Sequence, residues 1–522
     1  KNVFRLQNIN SSDDNAAQDD MSAQAYDVEG IDEFQVSGYG SNASAVELGS
    51  GFDSASDYKL LTAGDENYVL YTVGRKNPGH SLNNTQLVMS KLSTTSTGVG
   101  GEEGKDSMGL VNPIDETSAT KYIVVDRKAG NEESTGDLDY DAIVENGMIK
   151  VTWTSYSEEA AKTIPESWSS DKMLKAASQL VEVKTAEFDT KSPSEFTNAV
   201  VLSKGNGYRF LPSGSTSNVH VYADTEPYTE AELTAREKEY KEKYDKAAQG
   251  NDSNNESGTG DPYAKANYQY ALTTDYLYGK YSKLHYSVKQ GDGTYKTYDL
   301  EPTDEWKKQG TRLENVQITE GTDNDYFISY TTEQKDKYGA SDEYAKIKKL
   351  YVQKATIQKQ NVAVESGNVE QNSMKFETPV LLKTLVDYDD SDENDGVYVG
   401  GSCEEKVESP SFTNLKFLHG KLSDAGKAET FLMYNMNGIT YVIKEKSLEN
   451  ALNSNKAAIT VDPLFTVDKE HGNAQAEATI GVDGDGNISA VYTQTVTNTV
   501  NNALYVTKYD PTVKKFGEAF ML

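Results

Sequence analysis

Six short segments of this chain are variations on one pattern, and that repetition limits the folds open to it more than any other feature. Each starts in a polar turn and runs into an apolar or alternating strand, which ends in an aromatic residue followed by a small or polar one. They are "DENYVLYT" (65–72), "ENGMIKVTWT" (145–154), "TSNVHVYA" (216–223), "DNDYFISYT" (323–331), "KAETFLMYN" (427–435) and "GNISAVYT" (486–493). The aromatics, called anchors below, are Tyr71, Trp153, Tyr222, Tyr330, Tyr434 and Tyr492. Such residues suit strands buried on one or both faces. A unit of this size cannot cover both faces of its own sheet, whereas a closed ring of units lets each neighbour cover the next.

Further strands follow most copies. They include "TQLVMSKL" (85–92), "SQLVEVKTAEF" (178–188), "FTNAVVL" (196–202), "KKLYVQKATI" (348–357), "ITYVIKEK" (439–446) and "NALYVTKYD" (502–510). One unit therefore reads as three or four antiparallel strands. Successive anchors stand 58 to 108 residues apart. The shortest interval suits a four-stranded propeller blade, and the longer ones call for insertions. A helix is expected over 228–250, where Thr229 and Glu232 form a capping box and Gly250 marks a stop. A second is expected over 169–180 and a short one over 447–452. The chain is thus expected to be all-β, a single β-propeller across 1–522 with six or seven blades and helical insertions near 157–180 and 225–265. Residues 1–7 are candidates for a ring-closing strand, and 1–55 with 119–129 for a seventh, degenerate blade. A string of β-sandwiches is the rival, and the lack of Pro-rich linkers speaks against it.

Charge narrows the partners. With 82 Asp and Glu against 51 Lys and Arg, the net charge is −31, which opposes binding to nucleic acid or anionic lipid. No stretch approaches the roughly 18–20 apolar residues that span a bilayer, so direct membrane insertion is not expected. The single cysteine, Cys403, excludes an intramolecular disulfide and a thiolate zinc cage, and is expected to be a surface bystander. The opening at Lys1, without initiator Met or signal sequence, reads as a processed or excised piece. An acidic, Cys-poor chain rich in Asn, Asp, Ser, Thr and Gly is typical of exported bacterial surface proteins.

The sharpest candidate site is "VDGDGNISAVYTQT" (482–495). Asp483, Asp485 and Asn487 offer alternating side-chain oxygens, as calcium requires, although an EF-hand would place an acid where Gln494 stands. The alternative is a hairpin turn in which Gly484 and Gly486 supply positive φ and Val491 enters the core. The acidic runs "DYDDSDENDG" (387–396) and "GDLDYD" (136–141) read as solvated loops or calcium-binding loop tips. His80, His220, His285, His419 and His471 show no metal spacing, and His220 is expected to be packed in a strand. "GVGGEEGKD" (98–106) fails the phosphate-loop spacing. Arg75, Arg209 and Arg312 lie near expected strands and are read as structural partners. The tyrosine-rich "YQYALTTDYLYGKYSKLHY" (268–286) could stack on sugar rings, anchor a protein partner, or pack across a sheet.

"DGDGNISAVYT" resembles the inner-strand signature of bacterial secreted propellers, in which a D-x-D/N-G-N turn precedes an apolar strand ending Tyr/Trp-Thr. Sialidase-like propellers belong to this broad group and add Asp-boxes, S-x-D-x-G-x-x-W. None occurs here, so the resemblance does not imply sialidase activity. What it implies is a large extracellular surface protein of a Gram-positive bacterium. The expected function is non-catalytic binding or display, recognising a glycan or a protein partner. A glycoside hydrolase with paired carboxylates at the propeller axis and a structural spacer are the alternatives.

Overall fold

A computed structural model of the chain describes residues 52–75, 80–95, 107–127, 136–167, 176, 180–205, 211–216, 218–248, 264–300, 303–321, 324–337, 344–388, 412–436, 439–454, 462–466, 478–495 and 502–521. Among them, six antiparallel sheets follow one another in chain order, each with a path of four strands taken in sequence. Blade 1 holds β1 (Phe52–Ala63), β2 (Glu66–Arg75), β3 (Thr85–Thr95) and β4 (Ser107–Val111), with the short β5 (Ile123–Val124) added to β3. Blade 2 holds β6 (Asp137–Glu145), β7 (Met148–Tyr156), β8 (Val181–Asp189) and β9 (Val200–Gly205). Blade 3 holds β10 (Leu211–Ser215), β11 (Val219–Glu226), β12 (Tyr281–Lys289) and β13 (Tyr295–Leu300).

Blade 4 is the largest. It holds β14 (Arg312–Glu320), β15 (Asp325–Lys337), β16 (Tyr344–Val364) and β17 (Gly367–Phe376), with β18 (Val380–Tyr388) paired to the other end of β16. Blade 5 holds β19 (Thr413–Asp424), β20 (Lys427–Met436), β21 (Ile439–Lys444) and β22 (Asp462–Thr466). Blade 6 holds β23 (Thr479–Val482), β24 (Ile488–Thr495), β25 (Asn502–Asp510) and β26 (Lys515–Phe516), with β27 (Phe520–Met521) on β25. First strands touch first strands around the ring, β1 with β6, β6 with β10, β10 with β14, β14 with β19 and β19 with β23, so they line the axis of a six-bladed propeller.

The core lies between blades. In β20, Phe431 and Met433 pack with Ile480, Ile488 and Ala490 of blade 6, while Leu432 and Tyr434 pack with Leu350 and Val352 of blade 4. Successive side chains of one strand therefore serve opposite neighbours, which is the period-two geometry of a pleated strand buried on both faces. All six anchors occupy the second strand from the axis, β2, β7, β11, β15, β20 and β24. They are buried, and Trp153, Tyr222, Tyr330, Tyr434 and Tyr492 each cluster with the preceding blade. The sequence pattern thus marks second strands, not the innermost ones.

Across the sheet, each anchor meets a third-strand partner at the same register. Tyr330, Tyr434 and Tyr492 stack on Tyr351, Tyr441 and Tyr505 at centroid distances of 5.5, 5.3 and 5.7 Å. Tyr71 faces Val88, Trp153 faces Lys184 and Tyr222 faces His285.

Other expectations are corrected. The 119–129 segment supplies β5 of blade 1 and no seventh blade. An unforeseen α1 (Glu158–Thr163) precedes the expected 169–180 helix, which is not corrected: only Ala176, which is helical, and Leu180 fall within the described residues there. The insertion of blade 3 is longer than expected: α2 (Glu230–Ala248) carries the foreseen capping box, with Thr229 N–H donating to Glu232 at 2.8 Å and Glu232 N–H to Thr229 Oγ1 at 3.3 Å. It is followed by α3 (Ala264–Tyr278), so the first half of the tyrosine-rich segment is helix and only the second half is strand. The short α4 (Asp304–Gln309) precedes β14, and α5 (Glu445–Ser454) covers the foreseen 447–452. Residues 1–51, and with them nearly all of the 1–55 part of the expected seventh blade, lie outside the described residues, as do 98–106, Arg209, 389–396, Cys403 and His471.

Candidate functional site at the propeller axis

The register that fixes the anchors also fixes a ring around the axis. The residue before each anchor pairs with one residue of the innermost strand. These partners are Lys59 (opposite Leu70), Asp141 (Thr152), Gly214 (Val221), Gln317 (Ser329), Lys416 (Met433) and Thr479 (Val491). In β1, β6, β10, β14 and β19 a bulge or register shift falls just ahead of this position. A bulge adds a residue to one strand, turns it and re-aims the side chains beyond it. Asn315 and Asn414 take the left-handed backbone at two of these bulges (φ 52° and 51°), a conformation asparagine tolerates better than most residues.

Two cavities, of about 440 and 340 Å³, meet on Asp141, Gln317 and Lys416. Lys59, Asp139, Asn414 and Thr479 help to line the smaller one, and Thr216, Thr319, Glu145 and Glu320 help to line the larger. Lys59 Nζ donates to Asp141 Oδ1 at 3.0 Å and to Tyr140 O at 3.1 Å, tying blade 1 to blade 2. Asp141 Oδ1 also accepts from the Ala142 amide at 2.9 Å. Glu145 is drawn to Lys150 at 3.3 Å, and Glu320 accepts from the Tyr326 hydroxyl at 3.2 Å. Burial of the Lys416 amine, reinforced by the neighbouring Lys59 charge and only partly opposed by Asp141, lowers its pKa. The cavity lining holds no arginine among the described residues, so the guanidinium cluster that would seize a carboxylate is not part of it.

The expected calcium loop sits away from this ring, at the β23–β24 turn. Asp483 Oδ1 accepts from the amides of Asp485 (3.0 Å) and Asn487 (2.8 Å), and its Oδ2 accepts from Asn487 Nδ2 (2.8 Å). The Gly486 amide closes a turn onto Asp483 O at 3.0 Å, and Gly486 takes φ +83°. These acceptor bonds outweigh partial burial and lower the Asp483 pKa. The loop thus orders itself with its own amides, and Asn487 presents its Nδ2 to Asp483. Gly486 alone of the two expected glycines takes positive φ. Val491 is half-buried on the axial register, while Ile488, Ala490 and Tyr492 enter the core.

Two buried charged groups escape sequence reading. Lys184 Nζ donates to Asp126 Oδ2 at 3.1 Å, with both side chains almost wholly inaccessible. Asp137 lies beside them and accepts from the Leu87 amide at 2.8 Å. Burial, and next the Asp126 charge, hold its pKa well above the ordinary carboxylate value. The "GDLDYD" stretch is therefore neither a loop nor a loop tip but the start of β6, and it provides this buried acid and the axial Asp141. In blade 3, His285 is held between Asp224 (Nε2 to Oδ2, 2.9 Å) and Asp299, which hydrogen-bonds its Nδ1. His220 behaves as expected: it is buried with Nδ1 3.1 Å from Thr152 Oγ1, and burial drives its pKa down to about 3.

No protein-family model and no curated protein matches the chain. Among solved structures it is similar to a Trypanosoma rangeli sialidase in complex with the inhibitor DANA, at 8% identity and TM-score 0.35, covering 87% of this chain and 55% of that one. It is similar also to the parainfluenza virus 5 hemagglutinin-neuraminidase ectodomain (9%, TM-score 0.33, 90% and 80% covered) and to an alpha-L-arabinofuranosidase from Lactobacillus brevis (9%, TM-score 0.27, 89% and 95%). The chain spans about half the length of that sialidase. Likeness at this level transfers no residue role.

Proposed function

We propose that the chain is a non-catalytic binding module that recognises a saccharide at its axial cavity, displayed outside the cell on a bacterial surface protein. The observation that supports it is the state of Asp141. Its carboxylate is already engaged by the Lys59 ammonium and the Ala142 amide, which suits it to orient a ligand hydroxyl. Hydrolysis of a glycoside needs a second carboxyl working across the bond; Glu145 and Glu320 are turned to Lys150 and Tyr326, which leaves Asp139, two residues before Asp141 in the lining of the smaller cavity, as the one acid whose Asp139→Asn variant must be assayed beside Asp141→Asn. The remaining ring positions offer an amide, a hydroxyl and a second ammonium, donors and acceptors matched to vicinal hydroxyls. A cavity of about 440 Å³ is within the size range of small-ligand sites. Composition favours the extracellular placement, with a single cysteine and a net charge of −31.

The test is retention of the purified chain on immobilised cellohexaose, maltohexaose, chitohexaose, hyaluronan and heparin oligosaccharides. Gln317→Trp, which fills the cavity, is expected to weaken retention at least tenfold, with no reducing ends released. Release of reducing ends that Asp141→Asn abolishes would convert the reading to a glycoside hydrolase. Retention unchanged in Gln317→Trp would remove the axis as the site.

A further inference from the structure

The helical insertion of blade 3, together with the start of β14, builds a second cleft whose lining residues differ from those of the axial cavities. Tyr228 precedes α2, Tyr240 and Arg236 come from α2, Tyr270 and Asp275 from α3, and Arg312 from the start of β14 in blade 4; together they line a cavity of about 330 Å³. Its floor is rigidly organised. Arg236 forks onto the buried Asp275 carboxylate, Nε to Oδ2 at 2.6 Å and Nη2 to Oδ1 at 2.9 Å. Its Nη2 also donates to the Tyr240 hydroxyl at 2.6 Å, and its guanidinium lies 4.5 Å from the centroid of the Tyr228 ring. Tyr270, by contrast, is 72% exposed at the cleft. An exposed aromatic ring above a fixed, polar floor is a poor arrangement for a helix pair that only fills space. α2 also buries little, with Leu233 its one buried residue. The insertion is therefore not explained by packing alone.

We propose that this cleft is a peripheral saccharide-binding subsite, separate from the axial cavity. A sugar ring has an apolar C–H face, which an exposed tyrosine ring can cover. Its edge carries hydroxyls, which a guanidinium–carboxylate pair held in one plane can bridge. The size argues against a protein partner as the occupant. A standard protein interface buries about 800 Å² on each partner, whereas this is a concave pocket with room for one or two rings. Holding Arg236 in place before the ligand arrives removes an ordering cost that binding would otherwise meet.

The experiment uses the same immobilised saccharides, neutral and acidic, with the whole chain. Tyr270→Ala removes an exposed ring and Thr274→Trp, on the adjacent turn of α3, fills the cleft; the melting temperature of each, within two degrees of the parent, establishes that the fold is intact. At least one saccharide is expected to bind Gln317→Trp and to lose tenfold or more in retention with Tyr270→Ala and with Thr274→Trp. Preference for neutral over acidic members identifies stacking, not charge, as the source of recognition. Retention within twofold of the parent in both cleft variants overturns the proposal, as does loss in Gln317→Trp alone, which leaves the axial reading standing. Binding of an unglycosylated peptide array at the cleft, with no saccharide bound there, also overturns it.

Discussion

Blades 2 and 3 solve the same packing problem differently from blades 4, 5 and 6. At the third-strand position facing the anchor, the later blades place tyrosine on tyrosine, with Tyr351, Tyr441 and Tyr505 stacked below Tyr330, Tyr434 and Tyr492. The earlier blades place a cation or a ring nitrogen there: Lys184 held by Asp126, and His285 held by Asp224 and Asp299. Stacked rings draw on area and quadrupole geometry, and they survive the loss of one ring as a smaller contact. A buried charge depends wholly on its partner, so the loss of one member strands the other. The same backbone register therefore carries two kinds of interior, one tolerant and one brittle.

Replacing Lys184 with Met tests the brittle interior where it is most extreme. Asp126 and Asp137 are left without a cation, and urea unfolding is expected to register a loss of about 3–5 kcal/mol. His285→Ala leaves the buried Asp224 short of a donor and should cost less, about 1–3 kcal/mol. In blade 5, Tyr441→Leu keeps much of the burial and forfeits the ring pair, about 0.5–1.5 kcal/mol. If Lys184→Met and Tyr441→Leu cost the same in calorimetry, the contrast between the blades fails.

Asp137 sharpens the comparison through pH. Its folded-state pKa is raised, so its contribution is fully present below the unfolded value near 4 and is lost as pH rises through the folded value. Asp137→Asn can still accept from the Leu87 amide and no longer ionises. Its unfolding free energy should therefore gain on the parent's as pH increases from 4 to 8, by about 1.4 kcal/mol for each unit of the parent's shift. A gap that does not widen with pH would show that Asp137 does not titrate within the fold. The smallest effect is expected at the β23–β24 turn. The proposal that Asp483, Asp485 and Asn487 bind calcium is tested by chelator: the parent's melting temperature is expected to stay unchanged, because the turn is already closed by its own amides. A drop on adding chelator that Asp485→Ala eliminates would establish a stabilising cation.

The architecture was legible because each anchor announces itself locally. A turn followed by a strand ending in Tyr or Trp is set by residues adjacent in sequence, and its burial on both faces leaves an apolar run. The ring of Lys59, Asp141, Gly214, Gln317, Lys416 and Thr479 was not legible. It depends on pairing across hairpins of unequal length: Asp141 precedes its anchor by 12 residues and Lys416 by 18. Bulges add residues without leaving a shared motif. "GDLDYD" misleads for a related reason. Its charge density suggests solvent, and only the third dimension supplies Lys184 and Lys59 as partners. The tyrosine-rich 268–286 segment hides a helix because tyrosine spaced for a strand also tolerates a helix held by tertiary contacts.

The direction in which the anchors face gives the ring a beginning. Each looks back at the blade made before it, so Trp153, Tyr222, Tyr330, Tyr434 and Tyr492 find their neighbours already synthesised as they leave the ribosome. Tyr71 shares their register and clusters instead with Val73 and Val88 of its own blade. Five interfaces can therefore form in the order of translation, each on a surface that already exists.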